Sequence, residues 1–208
     1  ADLPARLWWN ELTPVQQQLN AAIRRGVPLG GTSAGLAVLG EFVYSAQNDH
    51  PRDPNLTSAA ALANPFHPQV VVARNFLNLP ELRGLITDTH FHNRDRLGRL
   101  LVFMARILQA GDAAALHGIG IDQHTALLVD GQGQAREVGT GHVYLFAAKG
   151  KPAVCQSGRP LSFGPIAVRR LDPGQSFSLP RWSGQGARYT LRVRDGKVGS
   201  DQPGGSIY

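Results

Sequence analysis

Residues 27–40 read VPLGGTSAGLAVLG. A short apolar approach runs into Gly30 and Gly31, then Thr32-Ser33-Ala34-Gly35, then an apolar run of helical character. Gly-x-Ser-x-Gly between a strand and a helix is the sequence form of a nucleophile elbow. The serine sits in a sharp, strained turn, and neighbours without side chains relieve the crowding. Such a turn lifts the serine Oγ above the carboxyl edge of a sheet. The N–H of Ala34 then points from a helix N-terminus at the place where an oxyanion would form, and Gly31 is the second residue assigned to that hole. The bare pattern also occurs by chance, so the alternative is an ordinary tight turn joining a strand to a helix.

Outward from the serine, Thr13-Pro14 reads as a helix start, with the helix running through VQQQLNAAIRR. Val15, Leu19, Ala22 and Ile23 share one side of it, and Gly26 supplies the stop. AGLAVLGEFVYSA is apolar nearly all round, as expected of a helix packed inside an α/β domain. Residues 47–69 read as a loop over the site with one short Ala-rich helical stretch. VVVAR (70–74) is a strand. A further strand over Leu85–Thr87 delivers Asp88 and His90 at its carboxyl end, and Asn93 then caps an amphipathic helix. That helix has Leu97, Leu100, Leu101, Met104, Ile107 and Leu108 at helical spacing and closes at Gly111. GIGID, TALLVDGQGQAREV and HVYLFA follow as strands, with a hairpin turn at Asp130-Gly131. From about residue 150 the sequence turns to β-hairpin material, and the tail GSDQPGGSIY reads as frayed or extended. The expected fold is α/β: a mostly parallel sheet flanked by helices, with a strand-Ser-helix elbow and a small β-rich C-terminal part. Residues 1–150 form the α/β domain and 151–208 the β-rich extension.

The bulk composition narrows the function. The chain has 208 residues, 42% hydrophobic and 17% charged, with a net charge of +6. The arginines are scattered except for a local group at 94–99, and no zinc-finger or RNP-type pattern occurs, so nucleic-acid binding is not expected. No apolar run reaches the length of a membrane span. The single cysteine, Cys155, excludes an intramolecular disulfide and a cysteine-based metal site.

A nucleophilic serine needs a base. Seven histidines are available: His50, His67, His90, His92, His117, His124 and His142. His90 is the best placed, because it follows a predicted strand end, where the sites of open α/β sheets gather. His124, beside Asp122, is a rival.

Three ordered motifs, GGTSAG, DTHFHNRDRLGRLL and GIGIDQHTALLV with VGTGHVYLF, resemble the cyanophycinase branch of the serine peptidases, relatives of α-aspartyl dipeptidase. The resemblance covers about residues 1–146. It implies an α/β sheet, a Ser-His-Glu arrangement and cleavage next to aspartyl residues. Cyanophycinases degrade a polyaspartate carrying arginine on its β-carboxylates to β-aspartyl-arginine dipeptides. Carried over by position, Ser33 matches the nucleophile, His90 the general base and Ala34 an oxyanion donor. Asp88, Arg94, Arg96 and Arg99 match a polar substrate pocket. Guanidinium groups can hold substrate carboxylates, and an aspartate can hold a substrate arginine; alternatively Arg99 pairs with Asp95, four residues earlier. No metal or organic cofactor is implied. The partner is a peptide substrate bearing aspartyl and arginyl groups, with a homodimer as a further option.

Two departures stand out. Gln123 occupies the position where relatives carry the acidic member, and Asp122 is the neighbour that could replace it if the strand register differs. Side chains at adjacent strand positions face opposite ways, so the two cannot both address His90 without a bulge. The family also has a sheet half ahead of this region. The chain is therefore expected to start partway into the domain, with Trp8 and Trp9 near the edge that the first strands would cover. The competing reading is a binding protein that keeps the pocket and lacks the triad acid. A further enzyme reading is an aspartyl-directed exopeptidase that never meets cyanophycin.

Overall fold

The computed structural model describes residues 13–49 and 55–208. Trp8, Trp9 and His50 lie outside them.

Four helices are present among the described residues: α1 (Pro14–Arg24), α2 (Ala34–Ala37), α3 (Ser58–Ala63) and α4 (Leu97–Ala110). Twelve strands among the described residues form two sheets. The larger sheet holds β1 (Phe42–Tyr44), β2 (Val72–Arg74), β3 (Leu85–Thr89), β4 (Ala115–Ile121), β7 (Val143–Lys149), β8 (Phe163–Leu171), β11 (Ala187–Arg194) and β12 (Lys197–Ser200). Their order is β12-β11-β8-β7-β4-β3-β1-β2. The smaller sheet holds β5 (Thr125–Val129), β6 (Gln134–Gly139), β9 (Ser176–Ser178) and β10 (Ser183–Gly184).

The α/β class is observed, but the sheet is mixed rather than mostly parallel. Only β1 with β3 and β3 with β4 run parallel. From β7 onward every pairing in this sheet is antiparallel, and β11 and β12 are joined by a tight hairpin at Asp195-Gly196.

The two faces of the large sheet are buried differently. On one face α3 and α4 cover a core that includes Phe91, Leu100, Phe103, Met104 and Phe146. On the other the small sheet, with Phe177, covers Leu85, Ile119, Ile121, Val143 and Leu145. The run Gly118-Ile119-Gly120-Ile121 shows how β4 serves both. The isoleucines face the small sheet, while the glycines leave room on the helical face. A Cβ on Gly120 would lie 2.5 Å from the Phe91 ring, and one on Gly118 would lie 2.9 Å from Met104 Sδ.

Several local expectations change. The apolar run after Ser33 holds a helix only over Ala34–Ala37 and then becomes strand β1. An all-apolar stretch carries no period that tells helix from strand, and the aromatic and β-branched Phe42-Val43-Tyr44 suits the sheet. Residues 27–30 carry no regular secondary structure, so the approach to Ser33 is not a strand here. α1 begins as expected, with Thr13 Oγ1 accepting from Gln16 N–H at 3.2 Å. Its apolar side is not its buried side, however. Val15 is exposed, while Gln16 and Asn20 are buried and donate through their amides to the Phe76 carbonyl. The tail is docked, not frayed: it makes a turn at Pro203–Gly205 and carries the Tyr208 ring onto Phe91, His92 and Tyr144.

Candidate active site

Ser33 stands at the amino end of α2 with φ 53° and ψ −121°, a conformation that costs a non-glycine residue energy and clusters at functional sites. The turn is closed by Gly35 N–H to the Thr32 carbonyl at 2.9 Å and Leu36 N–H to the Ser33 carbonyl at 3.0 Å. Gly31 is required sterically, since a Cβ there would lie 2.1 Å from the Gly35 carbonyl oxygen. Gly35 itself faces open space. The Ala34 N–H has no partner among the described residues, so it is available to an oxyanion. Thr87 Oγ1, in β3, donates to the Leu36 carbonyl at 2.8 Å and ties the elbow to the strand that leads to the histidine.

His90 follows the last residue of β3 at φ 50°. Its Nε2 lies 3.1 Å from Ser33 Oγ. Because β3 and β4 are parallel with Thr89 opposite Ile121, their carboxyl ends lie side by side. The residues that follow each strand therefore meet, and Gln123 Nε2 lies 3.0 Å from His90 Nδ1. Ser33, His90 and Gln123 form a continuous chain. Partial burial, followed by the positive charges of Arg94 and Arg96, lowers the His90 pKa from its ordinary 6.5. That shift favours the neutral imidazole, the form a general base needs.

Asp122 is not at His90. Its carboxylate accepts from His92 N–H at 2.8 Å and from His142 N–H at 3.1 Å, so it pins the segment after His90 to the segment before β7. Asn93 works in the same place: its side chain accepts from Gln123 N–H at 2.8 Å instead of capping α4. His124, the rival base, is exposed at φ 54°, and it is His90 that meets Ser33 Oγ.

The amide of Gln123 sets the imidazole tautomer. With its NH2 facing Nδ1, that nitrogen accepts and the ring proton sits on Nε2, where it cannot receive the serine proton. A half-turn of the amide presents Oε1, which accepts from Nδ1–H and frees Nε2 as the base. Neither end of the amide has another hydrogen-bond partner among the described residues.

The charged group divides in two. Asp88 and Arg99, expected to hold substrate, hold each other. Arg99 Nε donates to Asp88 Oδ2 at 2.7 Å and Nη2 to Oδ1 at 2.5 Å, with the side chains 4% and 3% exposed. Arg99 also lies over the Tyr44 ring at 5.0 Å. It does not pair with Asp95. Arg96 reaches the same carboxylate at 3.5 Å but stays partly open, and burial followed by the Arg99 charge lowers its pKa. Arg94 is exposed and makes no ion pair among the described residues. Asp88 thus meets two guanidinium groups while Arg94 stays unpaired, leaving an excess of positive charge beside the Ser33–His90 pair.

Among the described residues no group of His, Cys, Asp and Glu converges to hold a metal ion, and no helix is long and apolar enough to cross a membrane. Two features were missed by sequence reasoning: Asp122 as a backbone clamp and Tyr208 as a neighbour of the site. Each depends on a contact between residues far apart in the chain.

No family model matches the chain. Among curated proteins it is 30% identical over 176 residues to a protein named cyanophycinase from Synechococcus elongatus, covering 80% of this chain and 47% of that one. It is 32% identical over 136 residues to the cyanophycinase of Trichormus variabilis, covering 63% of this chain and 37% of that one. The match to the cyanophycinase of Geminocystis herdmanii is 27% over 160 residues, covering 76% and 51%. The chain spans about half the length of the curated relatives it matches. Over 63–80% of its own length the chain is a relative of these cyanophycinases.

Proposed function

We propose that the site is that of a serine-type peptidase acting on aspartyl-containing peptides, with a polymer of β-aspartyl-arginine units as substrate. The observation that carries the reading is the 3.1 Å approach of His90 Nε2 to the Oγ of a serine held in a strained turn. Ser33 attacks the peptide carbonyl, and His90 takes its proton and returns it to the leaving amine. The Ala34 N–H supports the oxyanion, with Gly31 shaping the turn. Arg94 and Arg96 receive a substrate carboxylate, where a paired guanidinium fork gives both charge and orientation. Cleavage at the end of a chain, as an exopeptidase, fits a site whose positive charge lies to one side of the nucleophile.

A neutral fluorophosphonate followed by intact-mass analysis tests the first step. One adduct on Ser33, absent from His90→Ala, is the expected result, and β-aspartyl-arginine polymer is then the substrate to try. No adduct on the folded chain overturns the peptidase reading. The second reading, a binding homologue, is favoured by Gln123 standing at His90 Nδ1 where a carboxylate would stabilise the imidazolium. It predicts no adduct but retained affinity for the β-aspartyl-arginine dipeptide.

A further inference from the structure

Asp95 lies between Arg94 and Arg96 in the sequence and is the nearest acid in the chain to both. In the structure it pairs with neither. It sits in the turn at φ 45°, and its Oδ1 accepts from the Tyr208 hydroxyl at 2.8 Å. The same hydroxyl accepts from Leu97 N–H, the first residue of α4, at 3.2 Å. The Tyr208 ring is fixed independently, 4.5 Å from the His92 ring and 5.7 Å from that of Tyr144. A residue 113 positions away thus takes up the carboxylate that is nearest in sequence to both arginines.

We propose that Tyr208 is a positioning residue that holds Asp95 out of the arginine pocket, so that Arg94 and Arg96 stay available to a substrate carboxylate. The proposal deepens the peptidase reading and rests on it for the identity of the ligand. Its physical basis is competition. An aspartate released into reach of an exposed arginine forms a local ion pair, and a substrate carboxylate must then displace it.

The discriminating variant is Tyr208→Phe, which keeps the ring and removes the hydroxyl. The double variant Tyr208→Phe with Asp95→Asn also removes the competing charge. The groups acting on His90 are Arg94, Arg96 and Arg99, which lower its pKa, and Asp88, which raises it; Ser33 and Gln123 face its ring nitrogens. Neutralising Arg94 or Arg96 by Asp95 therefore shifts the His90 titration upward, by about half a pH unit at such a partly exposed site. Proton NMR of the histidine ring, which needs no substrate, should show that rise in Tyr208→Phe and its reversal in the double variant. With β-aspartyl-arginine polymer, KM should rise about tenfold in Tyr208→Phe at nearly constant kcat, and recover in the double variant.

Loss of the Leu97 contact is common to both variants, so a purely structural role predicts no recovery. An unchanged His90 titration in a folded Tyr208→Phe protein, or a defect that Asp95→Asn does not reverse, overturns the proposal. Failure of the wild type to take a fluorophosphonate on Ser33 overturns the peptidase reading instead, and the His90 titration still decides the role of Tyr208.

Discussion

Gln123 is where a single atom has the largest leverage on the proposed chemistry. In another serine hydrolase, exchanging the triad acid for its amide costs about ten-thousandfold in turnover, chiefly by selecting the wrong tautomer. The reverse exchange, Gln123→Glu, presents only acceptor oxygens to Nδ1 and should raise turnover by at least about tenfold. The added charge favours the imidazolium, so the His90 pKa rises and the acid limb of the pH–rate profile moves to higher pH. An unchanged rate with an unmoved limb would mean that Gln123 does not face His90 in solution. Arg94→Ala raises the same pKa by removing a cation, but it should lower affinity for the substrate carboxylate about tenfold with little change in kcat, a split readable from steady-state kinetics. The order of motifs in the sequence brings Ser33, His90 and Gln123 to notice. What it does not carry is which charges satisfy one another. Asp88 and Arg99 read as substrate ligands because their burial, and the bidentate pair that burial demands, depends on how α4 packs on β3. Asp88→Asn keeps the shape and strands the Arg99 charge, for a loss of roughly 3–5 kcal/mol, measurable by urea unfolding. A loss below about 1 kcal/mol would show that the pair is not needed for folding.

At the scale of elements, α4 shows where sequence reading stops. Its apolar spacing and its close at Gly111, with φ 82°, are both plain in the chain. Its start is not, because nothing local caps it. Arg96 stands at the cap position, where its side chain caps nothing, and Asn93 is engaged with Gln123. The orphan N–H groups are taken by Ser58 Oγ at Gly98, 3.0 Å away, and by Tyr208 at Leu97. Both come from other elements, so no local signal marks them. Ser58 also donates to the Asp95 carbonyl and thereby fixes the turn that carries Arg94 and Arg96. Ser58→Ala should cost about 1–2 kcal/mol, the upper range for a cap, because it removes an acceptor and a donor together. Denaturant titration measures it, and a change within about 0.5 kcal/mol would mean that water replaces both bonds.

For the molecule as a whole, the two-sheet arrangement is what the sequence hid. The β-branched and aromatic runs of β4, β7 and β8 announce strands, but the partner of each face is set by contacts across the chain. One such contact is His117, on the face of β4 that receives the small sheet. Its ring stacks on Trp182 with centroids 3.7 Å apart and planes at 13°, and Trp182 in turn meets Phe177 edge-on at 5.2 Å. Burial lowers the His117 pKa below its ordinary 6.5. A depressed histidine pKa stabilises the folded chain in its neutral form, so this contribution is complete above pH 6.5 and is lost as the pH falls through the folded-state value. His117→Phe keeps an aromatic ring against Trp182 and has no proton to take up. Between pH 8 and pH 5 the wild type should therefore lose more thermal stability than His117→Phe, by roughly 2–4 °C per kcal/mol of linkage for a chain of this size. His90, also depressed, contributes to both proteins equally and cancels in the comparison. Parallel melting curves with equal pH dependence in the two proteins would mean that His117 takes up its proton without disturbing the stack.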